Sequence, residues 1–198
     1  MKNFKIFLLF LLLSAGVIFP ERSIQAISLK SFSRDYPFLD GQWEGIISAS
    51  DGNIYFGLSS HSKEHAAHLF CYKMGKKKVE LVGDIGEITG ENGNGMVPQG
   101  KIHSEIYEDN GVLYFTTHWA YRDEKLSYPG GHLISYDIRK RKFKDFGIPL
   151  KGQGLISMVY DLKHKRCYAL SHEYPAFKRG SHLVIIDVKN GKVYDKGI

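Results

Sequence analysis

The sequence repeats itself three times, and this repetition restricts the possible folds more than any other feature. A His-Leu pair opens a similar segment at His68, His132 and His182. Four residues after each histidine comes an aromatic or apolar residue, eleven residues after it comes another, and fifteen residues after it comes a glycine. Three segments that agree at all these offsets without a gap indicate a repeat architecture, in which each repeat is one supersecondary unit.

Each repeat has the pattern of four β-strands. Short runs rich in β-branched and aromatic residues, bounded by polar turns, are typical of strands. Asn190-Gly191 lies between two apolar runs and indicates a tight hairpin. We therefore predict four consecutive antiparallel strands in each repeat of about 50 residues. The second strand of each repeat has the clearest pattern, over 54–58, 113–117 and 167–171.

Consecutive four-stranded antiparallel units predict an all-β fold, the β-propeller, in which each unit is one blade. We place the blades approximately at 43–85, 100–148 and 153–198. Propellers usually have about four to eight blades, so three blades form an incomplete ring. We expect the chain to be the N-terminal portion of a larger ring, whose open sheet ends need the remaining blades or another copy of the chain to cover them.

The unit length and strand pattern resemble those of exported bacterial β-propellers of the YVTN and quinoprotein-like group, which have kelch-like blades. The resemblance covers residues 43–198. It rests on strand and turn patterns shared by many propellers. The chain has no Trp-Asp dipeptide, the motif that would mark one particular propeller subfamily. The resemblance implies an exported propeller and leaves the subfamily open.

The N-terminus has the layout of a secretory signal peptide. Lys2 and Lys5 form a basic start, and residues 6–19 carry no charge. This apolar run is short for a bilayer core, which needs about 20 helical residues. We predict that residues 1–26 direct export to the periplasm or the extracellular space, that 27–42 form a leader segment, and that no membrane span remains after cleavage. An uncleaved N-terminal anchor is the alternative, and the sequence does not decide between the two.

The net charge of +6 does not indicate a nucleic-acid partner. Residues 1–26 carry a net charge of +2, so their removal leaves about +4. The remaining basic residues are mixed with acidic ones, as in the run 137–145, and form no stripe along one face. We therefore expect no nucleic acid among the partners.

Candidate functional residues collect at one face of the predicted blades. In an up-and-down blade, the connection into the first strand and the loop after the second strand lie at the same face, and long loops on a rigid scaffold commonly carry function. We predict that this face binds a small anionic or carbohydrate ligand. The predicted binding residues are His103, His118, Trp119, Tyr121, Arg122, His172 and Tyr174.

His103 departs from the pattern of its own repeat. When the repeats are aligned through Ser48, Ser104 and Ser157, His103 takes the position of Ile47 and Ile156. A polar residue at an inner position that is otherwise apolar is expected at a functional site.

The repeated histidines have a different expected role. His68, His132 and His182 occupy the same position in every blade. A site at the ring axis needs different residues from different blades, whereas a contact inside each blade needs the same residue each time. We therefore predict that these three histidines make hydrogen bonds within their own blades.

Neutral imidazoles bind divalent metals and exchange protons near neutral pH. His103, His118 and His172 are therefore also a candidate site for a divalent metal, the one cofactor that the sequence indicates. The arrangement resembles exported propeller lyases of acidic sugars, such as oligogalacturonate lyase, in architecture and residue type alone; those enzymes use histidines around a divalent metal. A metal-dependent carbohydrate lyase or hydrolase and a protein-interaction scaffold are the alternative functions, and the sequence does not decide whether the protein is an enzyme.

Overall fold

Three antiparallel sheets follow one another along the chain in the computed structural model, which describes residues 32–175 and 180–197. The first sheet contains β1 (Ile46–Ser48), β2 (Ile54–Leu58), β3 (His68–Lys73) and β4 (Lys78–Asp84). The second sheet contains β5 (Lys101–Ile102), β6 (Tyr107–Asp109), β7 (Val112–His118), β8 (Leu133–Asp137) and β9 (Lys142–Asp145). The third sheet contains β10 (Gln153–Asp161), β11 (Arg166–Glu173), β12 (Leu183–Asp187) and β13 (Val193–Asp195). Neighbouring strands are consecutive in the first and third sheets, and in the second sheet β5 and β6 lie in line beside β7 and together form the first strand. This order confirms the predicted all-β propeller fold with three four-stranded antiparallel blades.

Two short helices accompany the sheets, α1 (Phe32–Asp35) and α2 (Ile85–Thr89). The carboxylate of Asp84 caps α2 by accepting a hydrogen bond of 2.7 Å from the backbone N–H of Gly86. Neither helix in the described part of the chain has the length and apolar character needed to span a bilayer. The predicted signal peptide, residues 1–26, lies outside the described residues.

The first strand of the second sheet is interrupted. Both β5 and β6 pair with β7, and residues 103–106 between them belong to no strand. Between the two strands, the side-chain oxygen of Ser104 accepts a hydrogen bond of 2.9 Å from the backbone N–H of Thr116. A hydroxyl thus replaces the carbonyl acceptor of a regular ladder, so the strand divides into two pieces.

Cross-strand pairing corrects the repeat alignment in the first sheet. Tyr55 and Tyr168 occupy the same repeat position, and their partners in the first strands are Ile47 and Val159. The alignment through the serines matches Ile47 with Ile156, which lies three residues before Val159. That alignment was wrong for the first sheet. A strand repeats its pattern every second residue, so a short apolar strand fits several registers until its partner is known.

An apolar core separates each pair of neighbouring sheets. Tyr55 and Leu69 of the first sheet share a buried cluster with Phe115 and Ile134 of the second. The first strand of each later sheet lies against the second strand of the preceding one, as the contacts of β5 with β2 and of β10 with β7 show. The core between the second and third sheets consists mainly of Tyr114, Leu133, Leu155, Met158, Cys167, Ala169, Val184 and Ile186.

The segment before β1 packs on the first sheet, on the face turned away from the second. The ring centroid of Tyr36 lies 5.4 Å from that of Phe70, and the centroid of Phe38 lies 5.3 Å from that of His68. The described part of the predicted leader, residues 32–42, therefore covers a portion of this face.

Candidate functional site

Three of the candidate histidines meet where the second and third sheets adjoin. His103 follows β5, His118 ends β7, and His172 lies near the end of β11. The ring centroids of His103 and His118 are 5.1 Å apart, and those of His118 and His172 are 5.4 Å apart. These three side chains are called the histidine cluster below.

Hydrogen bonds fix the proton positions in the histidine cluster. Nδ1 of His103 lies 2.7 Å from the carbonyl oxygen of Ile156, and Nδ1 of His118 faces the carbonyl oxygen of Trp119. Because a carbonyl oxygen only accepts, both Nδ1 atoms carry the proton and both Nε2 atoms keep a lone pair. Nε2 of His118 then accepts a hydrogen bond of 3.3 Å from Nδ1 of His172.

The histidines of the cluster are neutral at pH 7. Burial, together with the positive charges that His103 and Lys101 can carry, lowers the pKa of His118 to about 2. Burial also lowers the pKa of His103 and of His172. The cluster therefore offers lone pairs and N–H donors without a charge of its own.

We expect the imidazole of His118 to stay neutral between about pH 4 and pH 8, because burial opposes its protonation. Nitrogen chemical shifts of the imidazole rings, followed by NMR across this range, measure its protonation directly. A protonated His118 at pH 5 would contradict the assignment of its neutral form.

Lys101 and Trp43 extend the histidine cluster towards the first sheet. Nζ of Lys101 lies 3.9 Å above the ring centroid of Trp43, and the Trp43 ring stacks on His103 with centroids 5.0 Å apart. Lys101 is only 8% exposed, and burial lowers its pKa. Sequence reasoning missed Trp43; the available signal was an aromatic residue just before the first strand of the first blade.

Trp119 and Tyr174 border the other side of the cluster. The Trp119 ring centroid lies 4.6 Å from that of His118 and 5.2 Å from that of Tyr174. The indole N–H of Trp119 is buried and finds no acceptor among the described residues. The hydroxyl of Tyr174 donates to the carbonyl oxygen of Asp123 and accepts from the Asp123 backbone N–H, which holds the 119–132 loop to the third sheet.

Tyr121 and Arg122 lie in the same 119–132 loop as Trp119. Arg122 points to solvent, with its side chain 53% exposed, and pairs with Glu124 at 3.1 Å. The structure thus places Arg122 in a surface ion pair. Residues 176–179, which continue the facing loop of the third blade, lie outside the described residues.

The histidine cluster does not have the arrangement of a metal centre. In the stretches 32–175 and 180–197, no group of three or more His, Cys, Asp or Glu side chains could hold a metal ion. His118 directs one ring nitrogen at the carbonyl of Trp119 and the other at His172. The predicted set His103, His118 and His172 is therefore joined by hydrogen bonds to neighbouring groups, and we derive no chemistry through a metal.

The repeated histidines bond within their own blades, as predicted. Nδ1 of His132 lies 2.9 Å from Asp145, and Nδ1 of His182 lies 2.7 Å from Asp195, thirteen residues later in both cases. Nδ1 of His68 instead bonds to the carbonyl oxygen of Ala66 at 3.2 Å. Nε2 of His132 also bonds to Glu91 at 2.9 Å, which the sequence did not indicate. Burial lowers the pKa of His132, but the hydrogen bonds and charges of both carboxylates outweigh this and raise it to about 9.

Gln99 ties this charged group to the loops of the candidate site. It is fully buried, and its side-chain N–H₂ donates to Glu91 at 2.9 Å and to the carbonyl oxygen of Gly130 at 2.8 Å. Its oxygen accepts from Thr117 and Tyr128 at 2.8 and 2.7 Å. All these groups are satisfied, so the network is a rigid floor beneath the 119–132 loop.

Several solved structures have a similar arrangement of elements. A puromycin hydrolase matches with 9% identity and a TM-score of 0.46, over 78% of this chain and 20% of that one. A dipeptidyl peptidase 4 from Porphyromonas gingivalis matches with 11% identity and a TM-score of 0.42, over 76% of this chain and 24% of that one. An arabinanase from Bacillus subtilis matches with 12% identity and a TM-score of 0.40, over 78% of this chain and 56% of that one.

The chain thus spans about a fifth to a quarter of the first two of these proteins. The sequence matches no protein-family model, and no curated protein matches it. The YVTN or quinoprotein-like subfamily therefore stays a prediction.

Proposed function

We propose that the protein binds a small anionic ligand, of the class of carboxylate-bearing sugars, beside Lys101 and the histidine cluster. The observation that carries this proposal is the setting of Lys101. The residue is only 8% exposed, its ammonium group lies over the Trp43 ring, and no carboxylate among the described residues forms an ion pair with it. A buried cation without a counter-ion is costly, and an anionic ligand would offset that cost.

The surroundings of Lys101 fit a sugar acid. Trp43, Trp119 and Tyr174 offer flat apolar surfaces of the kind on which sugar rings pack. The buried N–H of Trp119 lacks an acceptor, and a ligand hydroxyl would supply one. The neutral histidines can donate and accept hydrogen bonds. Because they carry no charge, the preference of the site for an anion is set by Lys101.

The predicted signal peptide supports binding outside the cytoplasm. Residues 1–26 carry the pattern of an export signal, so we propose a ligand that is met in the periplasm or in the medium. Sugar acids released from polysaccharides are of this class.

A second candidate function is a carbohydrate lyase or hydrolase. The carbonyl oxygen of Ile156 holds the His103 proton on Nδ1, which leaves Nε2 with a lone pair. Burial lowers the pKa of this histidine, so it is unprotonated at neutral pH and able to accept a proton from a bound substrate. In a lyase, that proton would come from the carbon next to the substrate carboxylate, and the leaving group would depart from the neighbouring carbon.

Galacturonate and galactose form a matched pair of probes, because they differ in a single carboxylate. Isothermal titration is expected to show binding of galacturonate and much weaker binding of galactose. Lys101→Met is expected to lower the affinity for galacturonate by about 10- to 100-fold, since a hydrogen bond to a charged group is worth about 1.5–3 kcal/mol. The affinity should also fall as pH rises through the lowered pKa of Lys101, because only its charged form attracts an anion.

Lys125→Met is the control for this experiment, since Lys125 is an exposed lysine of the 119–132 loop. Its affinity for galacturonate should match that of the unmodified protein. Equal binding of the two sugars, or an unchanged affinity in Lys101→Met, would rule out the proposed anion site. Incubation with polygalacturonate tests the second candidate: unsaturated products that disappear in His103→Ala would establish a lyase, and their absence would leave binding as the function.

A further inference from the structure

The first sheet leaves an apolar groove on the face turned away from the second sheet. The groove has a volume of about 300 Å³, and its lining includes Ile46, Ile54, Phe56, Leu58 and Tyr72. Ile46 is 55% exposed. Exposed apolar grooves of this kind mark surfaces that another element covers.

The groove residues occupy positions that are buried in the other two sheets. Phe56 is equivalent to Phe115 and Ala169, which are 0% and 1% exposed. Ile46 pairs with Phe56 across the strands as Met158 pairs with Ala169, and Met158 is 4% exposed. In the second and third sheets, these positions pack against the preceding sheet. The groove therefore has the residues of an interface between blades, and no preceding blade lies against it in the described chain. The leader residues 32–42 cover the neighbouring part of this face, around His68 and Phe70.

The third sheet has the opposite free face. Val159, Leu170 and Tyr194 are 56%, 41% and 41% exposed there. The equivalents of Leu170 and Tyr194 in the first sheet are Gly57 and Glu80, so the apolar character is stronger on the free face than on the covered one. End repeats that face water have a polar outer surface. The exposed apolar side chains of the third sheet therefore indicate that another element packs on this face.

Both interfaces inside the chain follow one rule of contact. The face that carries Tyr55 packs on the second sheet, and the equivalent face that carries Tyr114 packs on the third. Tyr168 occupies the same repeat position on the free face of the third sheet. This free face and the groove of the first sheet are thus the two complementary halves of the contact that already joins neighbouring sheets.

We propose that two copies of the chain associate head to tail, with the free face of each third sheet packed into the first-sheet groove of the other copy. We infer that a second copy covers the groove, because its third sheet has the same kind of face that packs on the following sheet at both interfaces within the chain. The two contacts are identical, so the pair closes on itself with twofold symmetry. The resulting ring has six sheets, within the range of about four to eight for propellers.

Charged substitutions on the two faces test this pairing. We expect sedimentation equilibrium of the full chain to give the mass of two chains. Ile46→Glu and Val159→Glu each place a carboxylate in both contacts and are expected to abolish the two-chain species at concentrations where the unmodified protein is fully associated. Leu162→Glu is the matched control: Leu162 is 57% exposed but lies in the turn between β10 and β11, so this variant should keep the mass of two chains.

An equimolar mixture of Ile46→Glu and Val159→Glu separates head-to-tail pairing from other arrangements. The intact groove of the Val159→Glu copy can receive the intact free face of the Ile46→Glu copy, so a two-chain species should return in the mixture. Association of two identical faces would leave one of the two variants associated on its own, and that result would overturn the proposal. A single-chain mass for the unmodified protein would mean that another protein or further blades cover both faces. Assemblies whose mass grows with protein concentration would exclude the closed ring. Either result overturns the proposal. Leu170→Glu provides a second substitution on the third sheet if Val159→Glu loses its circular dichroism.

Discussion

Replacement of His132 by leucine is expected to lower the free energy of unfolding by about 3–5 kcal/mol. The side chain of His132 is only 5% exposed and lies between Glu91 and Asp145, whose side chains are 11% and 25% exposed. Removing the histidine leaves two carboxylates close together in a poorly solvated place, with no cation between them. Urea denaturation at neutral pH measures the loss.

The same group makes stability depend on pH in a defined direction. In the folded protein the pKa of His132 is raised to about 9, whereas the unfolded chain releases this proton near the ordinary value of about 6.5. The stabilisation is therefore complete below about pH 6.5 and is lost as pH rises through about 9. The difference in unfolding free energy between the unmodified protein and His132→Leu should shrink between these values.

His182→Leu is the matched control for this prediction. His182 makes the equivalent hydrogen bond to Asp195, but the two side chains are 24% and 40% exposed. Water screens such a pair, so the expected loss is at most about 1 kcal/mol. Equal losses in the two variants would show that burial of His132 between two carboxylates is not the source of the effect.

The second large effect is expected for Gly131→Ala, at about 3 kcal/mol of lost stability. A Cβ atom at this position would lie 2.3 Å from the carbonyl oxygen of Thr117 and 2.7 Å from the backbone nitrogen of Leu155. Both are backbone atoms of paired strands, so neither can move aside without breaking a ladder. The backbone N–H of Gly131 also donates to the carbonyl oxygen of Gln153 at 2.8 Å, which fixes it between the second and third sheets.

Gly75→Ala isolates this steric effect, because nothing lies within 4 Å of a Cβ atom at Gly75. We expect its thermal unfolding midpoint to equal that of the unmodified protein or to lie slightly above it, since alanine reduces the entropy of the unfolded chain. Similar melting temperatures for Gly131→Ala and Gly75→Ala would mean that the two sheets approach each other less closely at Gly131 than described.

Part of the candidate site followed from the sequence. The meander topology places the ends of second strands and the connections into first strands at one face, and His103, His118 and His172 do meet there. The bonding of His132 and His182 within their blades also followed from their repeated position. The equivalent His68 bonds to the carbonyl oxygen of Ala66, because Leu81 takes the place of the aspartate.

The register of the first strand of the first sheet did not follow from the sequence. Ile47 and Ile156 fit one alignment, but the hydrogen-bonded partners of Ile47 and Val159 show that these two are equivalent. The strand has three residues, Ile46–Ser48, and such a short alternating pattern does not distinguish one register from another.

The sequence by itself determined the number of sheets and the order of their strands, because these depend on a local pattern repeated at constant offsets. The tertiary structure alone decided the ionisation of His132 through Glu91, 41 residues away, and the setting of Lys101 against Trp43. Burial and hydrogen-bond geometry determine the charge state of a side chain. Both depend on contacts between residues that are far apart in the sequence. The repeat pattern of the sequence does not predict which acceptor will form a hydrogen bond with a buried nitrogen.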